Sequence, residues 1–74
     1  MSRNQDRDIE KEYSKKEFVA KLRRLADCIE NDKRFSIQIE GLRIYIPADA
    51  VFTIEHEKSA DEEEMEFQIK WKPE

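Results

Sequence analysis

Cys28 and His56 are the one cysteine and the one histidine of the chain, and together they could form a thiol nucleophile and its base. Helical spacing puts Cys28 at the flank of an apolar stripe, and strand alternation puts His56 near the end of an apolar strand face. No third residue is indicated that would orient the histidine. We therefore expect Cys28 to be a small packing residue and His56 a strand-end residue. The sequence predicts no catalytic residue and no enzyme activity.

The run Asp61-Glu62-Glu63-Glu64 is the one cluster of candidate metal ligands. It lacks the alternating ligands and the internal glycine of a calcium loop, and it is predicted to be a solvated connection between strands. The chain has a single glycine, which is too few for a phosphate-binding loop. The sequence thus predicts no metal site, no cofactor and no small-molecule substrate.

Basic residues of the first half are the candidates for nucleic-acid binding. Residues 1–43 carry 11 basic and 9 acidic side chains, whereas residues 44–74 carry 3 basic and 9 acidic ones. An acidic half does not attract phosphates, so nucleic acid is the less favoured partner, although it stays open as the alternative. The residues that would carry that alternative are Lys15, Arg23, Arg24, Lys33 and Arg34.

The segment from Glu64 to Lys72 alternates apolar and polar residues without a break. Successive side chains of an extended strand point to opposite faces, so one face of this strand is apolar and the other polar. The apolar positions are Met65, Phe67, Ile69 and Trp71. The pattern predicts a strand that covers one side of the core.

An amphipathic helix is predicted over residues 15–31. Ser14 and Glu17 have the spacing of a capping box. An apolar stripe follows at helical intervals, and Asn31-Asp32 is a stop signal. The stripe consists of Phe18, Leu22, Leu25, Ala26 and Ile29, with Val19 beside it.

Alternating apolar residues predict the remaining strands. Runs at 35–40 and 42–46 flank Gly41 and predict a hairpin, while residues 52–57 predict a further strand. Residues 9–13 also alternate weakly, with Lys11 on the apolar side, which is typical of an edge strand. The predicted fold is α+β: an antiparallel sheet of four to five strands, in the order strand, helix, then four strands, with the helix on one face. Residues 1–8 are predicted to be a disordered end, and 9–72 a single domain.

The chain resembles the amphi-Trp domain family of small proteins. The resemblance lies in the early capped helix, the hairpin closed by Glu40-Gly41, Pro47 before an acidic strand, and the terminal amphipathic strand with Trp71. It extends from about Ile9 to Trp71, and the chain departs from the family pattern in continuing past the tryptophan. The family has no established enzymatic activity, so the resemblance implies a fold and no site.

The predicted sheet has more apolar surface than one helix can cover. Five strands about 4.8 Å apart span roughly 19 Å, whereas a helix is about 10 Å wide. We therefore expect an interaction module that forms a homodimer or binds a protein partner, with Phe67, Ile69 and Trp71 as candidate contact residues. Trp71 could be a core residue or a partner anchor. No run could cross a membrane, and the single cysteine and the lack of a signal segment predict a cytoplasmic protein.

Overall fold

A computed structural model describes residues 6–73 as one helix followed by four strands. Helix α1 comprises Lys15–Glu30, and the strands are β1 (Phe35–Ile39), β2 (Leu42–Ile46), β3 (Val51–Lys58) and β4 (Glu63–Lys70). The α+β class is therefore confirmed, and each strand lies within two residues of its predicted bounds.

Both ends of α1 have specific caps. The amide of Glu17 donates to Ser14 Oγ at 3.2 Å, and the Ser14 amide lies 3.4 Å from Glu17 Oε1, which confirms the capping box. At the other end Asp32 has a φ of 54°, its amide donates to the Ile29 carbonyl, and the Lys33 amide donates to the Cys28 carbonyl. This is the Schellman arrangement, which satisfies carbonyls that the helix end would leave unpaired.

Strands β1 and β2 form the predicted hairpin. They are antiparallel, with Phe35 opposite Ile46 and Ile37 opposite Ile44. Glu40 and Gly41 make the turn with φ values of 45° and 82°. Two positive φ values match the right-handed twist of the flanking strands, and glycine adopts such a value without strain.

Strands β3 and β4 form a second hairpin, in which Phe52 lies opposite Ile69 and Ile54 opposite Phe67. Within residues 6–73 neither strand pairs with β1 or β2, so there are two two-stranded sheets and not the single sheet of four to five strands that the sequence predicted. Alternation specifies which face of a strand is apolar, but it does not specify the neighbouring strand.

The strand predicted at residues 9–13 does not form, and this segment is irregular. Tyr13 instead lies against the helix, with the Lys21 ammonium 4.8 Å and the Lys11 ammonium 5.2 Å from its ring centroid. The prediction of a disordered end falls in part on residues 1–5, which lie outside the described residues. Arg7, in the remaining part, donates a hydrogen bond to the Ile39 carbonyl.

The apolar core is small for the amount of apolar sequence. Among the described residues only Phe35 and Ala50 are buried. The total accessible surface is 7022 Å², against roughly 4,800 Å² expected for a compact chain of this mass. The radius of gyration is 14.4 Å, against about 11 Å for a compact chain of this length. Much apolar surface therefore remains open to solvent.

Candidate interaction surface

A group of exposed apolar side chains lies on one side of the β3–β4 hairpin. Phe52 is 51% exposed, and Ile54, Met65 and Phe67 are each 64–65% exposed. Strand register places these side chains on a common face, because directly opposed residues of an antiparallel pair lie on the same side. We call this surface the hairpin face; its residues are Phe52, Ile54, Met65, Phe67 and Ile69.

An open groove of about 510 Å³ separates the hairpin face from the helix. Leu25 and Ile29 line it from α1, and the hairpin face lines it from the other side. No Cα atom of α1 lies within 8 Å of a Cα atom of β3 or β4, so the helix does not close over the hairpin. The groove can therefore receive apolar side chains from another molecule.

The three predicted contact residues differ in exposure. Phe67 is 65% exposed, whereas Ile69 and Trp71 are half-buried. Trp71 follows β4 and borders a cleft of about 380 Å³ that is also lined by Tyr45 and Lys72. In the chain alone Trp71 is thus half-buried beside a cleft that it shares with Tyr45 of β2.

Cys28 and His56 are not brought together. Cys28 is half-buried on α1, and its Cα is more than 8 Å from that of His56 on β3. His56 Nε2 instead lies 2.8 Å from a carboxylate oxygen of Glu63. The prediction that His56 is a strand-end residue on the apolar side is consistent with its position opposite Met65.

The polar face of the second hairpin concentrates negative charge. Glu57 lies directly opposite Glu64, and carboxylate oxygens of Glu57, Glu64 and Glu66 lie within 4.8 Å of one another. A hydrogen bond with Glu57 and the negative charge of Glu66 raise the pKa of Glu64. Gln68 partly offsets the repulsion, because its amide donates to both Glu55 and Glu66.

Sequence reasoning considered Asp61 to Glu64 as metal ligands and did not identify this three-carboxylate cluster. The signal was present, since Glu57, Glu64 and Glu66 all occupy the polar positions of two alternating strands. Three carboxylate oxygens could contact a divalent cation, but calcium takes six to eight oxygen ligands, and these side chains lie on an open surface.

Glu64→Gln is expected to stabilise the dilute single chain at neutral pH and to have no such effect in acid. A carboxyl whose folded pKa is raised binds its proton more tightly when folded, so stability is lost as the pH rises through that pKa. Urea unfolding at about pH 7 and about pH 4 measures the difference in the free energy of unfolding between Glu64→Gln and the wild type. Asp61→Asn, in the connection between the strands, is the control. An equal effect of Glu64→Gln at both pH values would contradict the prediction.

Two of the five candidate nucleic-acid residues make contacts within the chain. The Arg24 guanidinium donates to the Ser36 carbonyl at 2.9 Å and lies 4.5 Å from the Phe35 ring centroid. The Arg34 guanidinium lies 4.9 Å from the Tyr45 ring centroid. Two of the five basic residues are therefore occupied within the chain. Nucleic-acid binding stays a prediction.

The one helix found within residues 6–73 is too short and too polar to span a bilayer. No curated protein and no solved structure matches the chain. A family does match: the Amphi-Trp domain covers residues 1–74, the whole length, including the alternating strand and Trp71 from which the resemblance was drawn. This small α+β chain, with its two hairpins and exposed apolar strand face, belongs to the Amphi-Trp domain family.

Proposed function

We propose that this protein is a non-enzymatic interaction module that associates, with itself or with a protein partner, through the hairpin face. The observation that carries the proposal is the exposure of four large apolar side chains on that one surface. Contiguous apolar patches on small proteins mark interfaces, because leaving them in water costs about 25 cal/mol per Å².

The shape of the surface also supports an interface. The groove has apolar walls from α1 and from the hairpin, so an inserted side chain would be surrounded on two sides. Aromatic side chains in such settings are enriched among the residues that contribute most to binding. Phe52 and Phe67 are the aromatic members of the hairpin face. The compartment we propose is the cytoplasm, since the single cysteine forms no intrachain disulfide.

An Ile54→Ser/Phe67→Ser double variant tests whether the hairpin face is an interface or part of an internal core. These side chains are about two-thirds exposed in the chain. We expect the dilute double variant to keep the circular dichroism spectrum and the urea midpoint of the dilute wild type. The fluorescent dye 8-anilinonaphthalene sulfonate, which binds exposed apolar surface, should bind the dilute wild type and lose most of its signal with the variant.

Thr53→Ala is the matched control, because Thr53 adjoins Ile54 in β3 and its side chain lies on the opposite face, where its hydroxyl donates to Gln68 Oε1. It should leave dye binding unchanged. If the double variant unfolds, or if the dilute wild type binds no dye, the hairpin face is covered by the chain's own core and the proposal fails.

A further inference from the structure

We propose that the partner is a second copy of this chain, and that the two copies pair antiparallel through the outer edges of their β4 strands about a two-fold axis at Phe67. The inference rests on the proposed function and names its partner and contact. The pairing joins the β3–β4 hairpin of one copy to the β3–β4 hairpin of the other, which gives one continuous four-stranded sheet in the order β3, β4, β4, β3.

The outer edge of β4 is available for this pairing. Within the described residues β4 pairs only with β3, so the backbone groups along its other side have no strand partner. Unpaired strand edges are templates for pairing with another chain. In contrast, backbone carbonyls of β1 at Ser36 and Ile39 already accept hydrogen bonds from Arg24 and Arg7.

The order of charges along β4 favours pairing with itself. The strand begins with acidic residues and ends with Lys70. An antiparallel pair centred on Phe67 places Glu64 of one copy opposite the partner's Lys70, and two-fold symmetry makes this contact twice. Opposite charges directly across two strands are stabilising. The Lys70 side chain makes no ion pair with any of residues 6–73 of its own chain.

The pairing also offsets the repulsion between like charges in the isolated β3–β4 hairpin. Within one chain, β3 places Glu55 opposite Glu66 and Glu57 opposite Glu64, which are like charges. The partner's Lys70 would supply Glu64 with a positive neighbour, whereas no ion pair joins Glu64 to any of residues 6–73 of its own chain. Strand β3 offers no such match, because its self-pairing about Ile54 would set Glu55 opposite Thr53 and Glu57 opposite Val51.

The chosen register is set by the faces and the charges. Shifting by one residue along one strand would place apolar side chains opposite polar ones, so only registers centred on a residue are compatible with a common apolar face. Centring on Glu66 sets that carboxylate against itself. Centring on Gln68 also sets opposite charges across the strands, Glu66 against Lys70, but it keeps only residues 66–70 of β4 paired. Phe67 as centre keeps Glu64 to Lys70 paired and sets Met65 opposite the partner's Ile69.

The same symmetry joins the two hairpin faces. A two-fold axis perpendicular to the sheet keeps the apolar faces of both copies on the same side of the four-stranded sheet. The two helices, one from each copy, then lie on that apolar side. The pairing therefore forms one apolar surface from the exposed Phe52, Ile54, Met65 and Phe67 of both copies.

Charge exchange between two variants tests the pairing by sedimentation at low salt. Lys70→Glu alone sets Glu64 against a glutamate, and Glu64→Lys alone sets two lysines together, so each should weaken the dimer at least about tenfold. An equimolar mixture of the two variants restores both opposite-charge contacts and should dimerise about as tightly as the wild type. Glu57→Lys, on β3, is the control: mixing it with Lys70→Glu in place of Glu64→Lys should not restore dimerisation.

A cysteine scan in a Cys28→Ser background determines the register. Single cysteines at Glu66, Phe67 and Gln68 are oxidised gently, and position 67 should form the intermolecular disulfide fastest, since identical residues meet only on the axis. A wild type of single-chain mass from micromolar to millimolar concentration, single variants that dimerise like the wild type, or fastest crosslinking at 66 or 68 would each overturn the proposal. Dye binding by the single chain would then still support an interface for a different protein.

Discussion

Phe35→Ala is expected to destabilise the fold by about 3–5 kcal/mol, the usual cost of truncating a buried phenylalanine. Phe35 is 4% exposed and lines a small cavity together with Ile29 of α1, Ile46 of β2 and Phe52 of β3. Its ring also packs beneath the Arg24 guanidinium. A domain of this size has only about 5 kcal/mol of stability, so the variant should keep about 0–2 kcal/mol and unfold at a much lower urea concentration than the wild type.

Urea unfolding followed by circular dichroism measures this loss, and Phe67→Ala is the matched control. Both residues are phenylalanines in strands, but Phe67 is 65% exposed in the chain, so its truncation should cost the dilute protein less than about 1 kcal/mol. Equal losses for the two variants would show that the two rings are buried alike, which would contradict the distinction between a core at β1 and an open surface on β4.

Local structure followed closely from sequence because its causes are local. Ser14 and Glu17 bond to each other across three residues, and Gly41 provides a turn between adjacent strands. The exception is the helix end, where Asp32 takes the positive φ that glycine usually supplies. A stop signal was predicted there, but the left-handed residue was not, since few non-glycine residues adopt that conformation.

Long-range structure followed less well because alternation leaves strand neighbours open. Residues 9–13 alternate, yet they pair with no strand of the described chain, and the Tyr13 ring lies under the Lys21 ammonium of the helix instead. Likewise the apolar faces of the two hairpins were predicted, but their separation into two sheets was not. Pairing depends on which edges meet, and that is decided by contacts far apart in sequence.

The predicted contact residues lie in different surroundings, and their role as contacts stays a prediction. Phe67 lies on the exposed hairpin face, whereas Trp71 is half-buried and lines a cleft with Tyr45. That cleft involves the first hairpin, so no pattern within the last strand could indicate it. The mismatch between apolar area and helix width, obtained from element dimensions alone, indicated that surface would remain uncovered.

The thermal midpoint of the wild type is expected to rise with protein concentration. If folding is completed by pairing of β4 strands, dilution favours the separated chain, which has only Phe35 and Ala50 buried among its described residues. By mass action, a thousandfold increase in concentration should stabilise the dimer by about 4 kcal/mol. For a small domain this corresponds to a shift of well over about 5 °C. Calorimetry or circular dichroism from micromolar to millimolar concentration measures it.

The control for this dependence is Lys70→Glu, which keeps the hairpin face intact and places a second negative charge opposite Glu64 of the partner. Its midpoint should begin to rise only at concentrations at least about tenfold higher than those at which the wild-type midpoint rises. Adding the Glu64→Lys variant should restore the rise. A wild-type midpoint independent of concentration would mean that one chain buries enough surface to fold alone, because unfolding that releases no partner has no term in concentration.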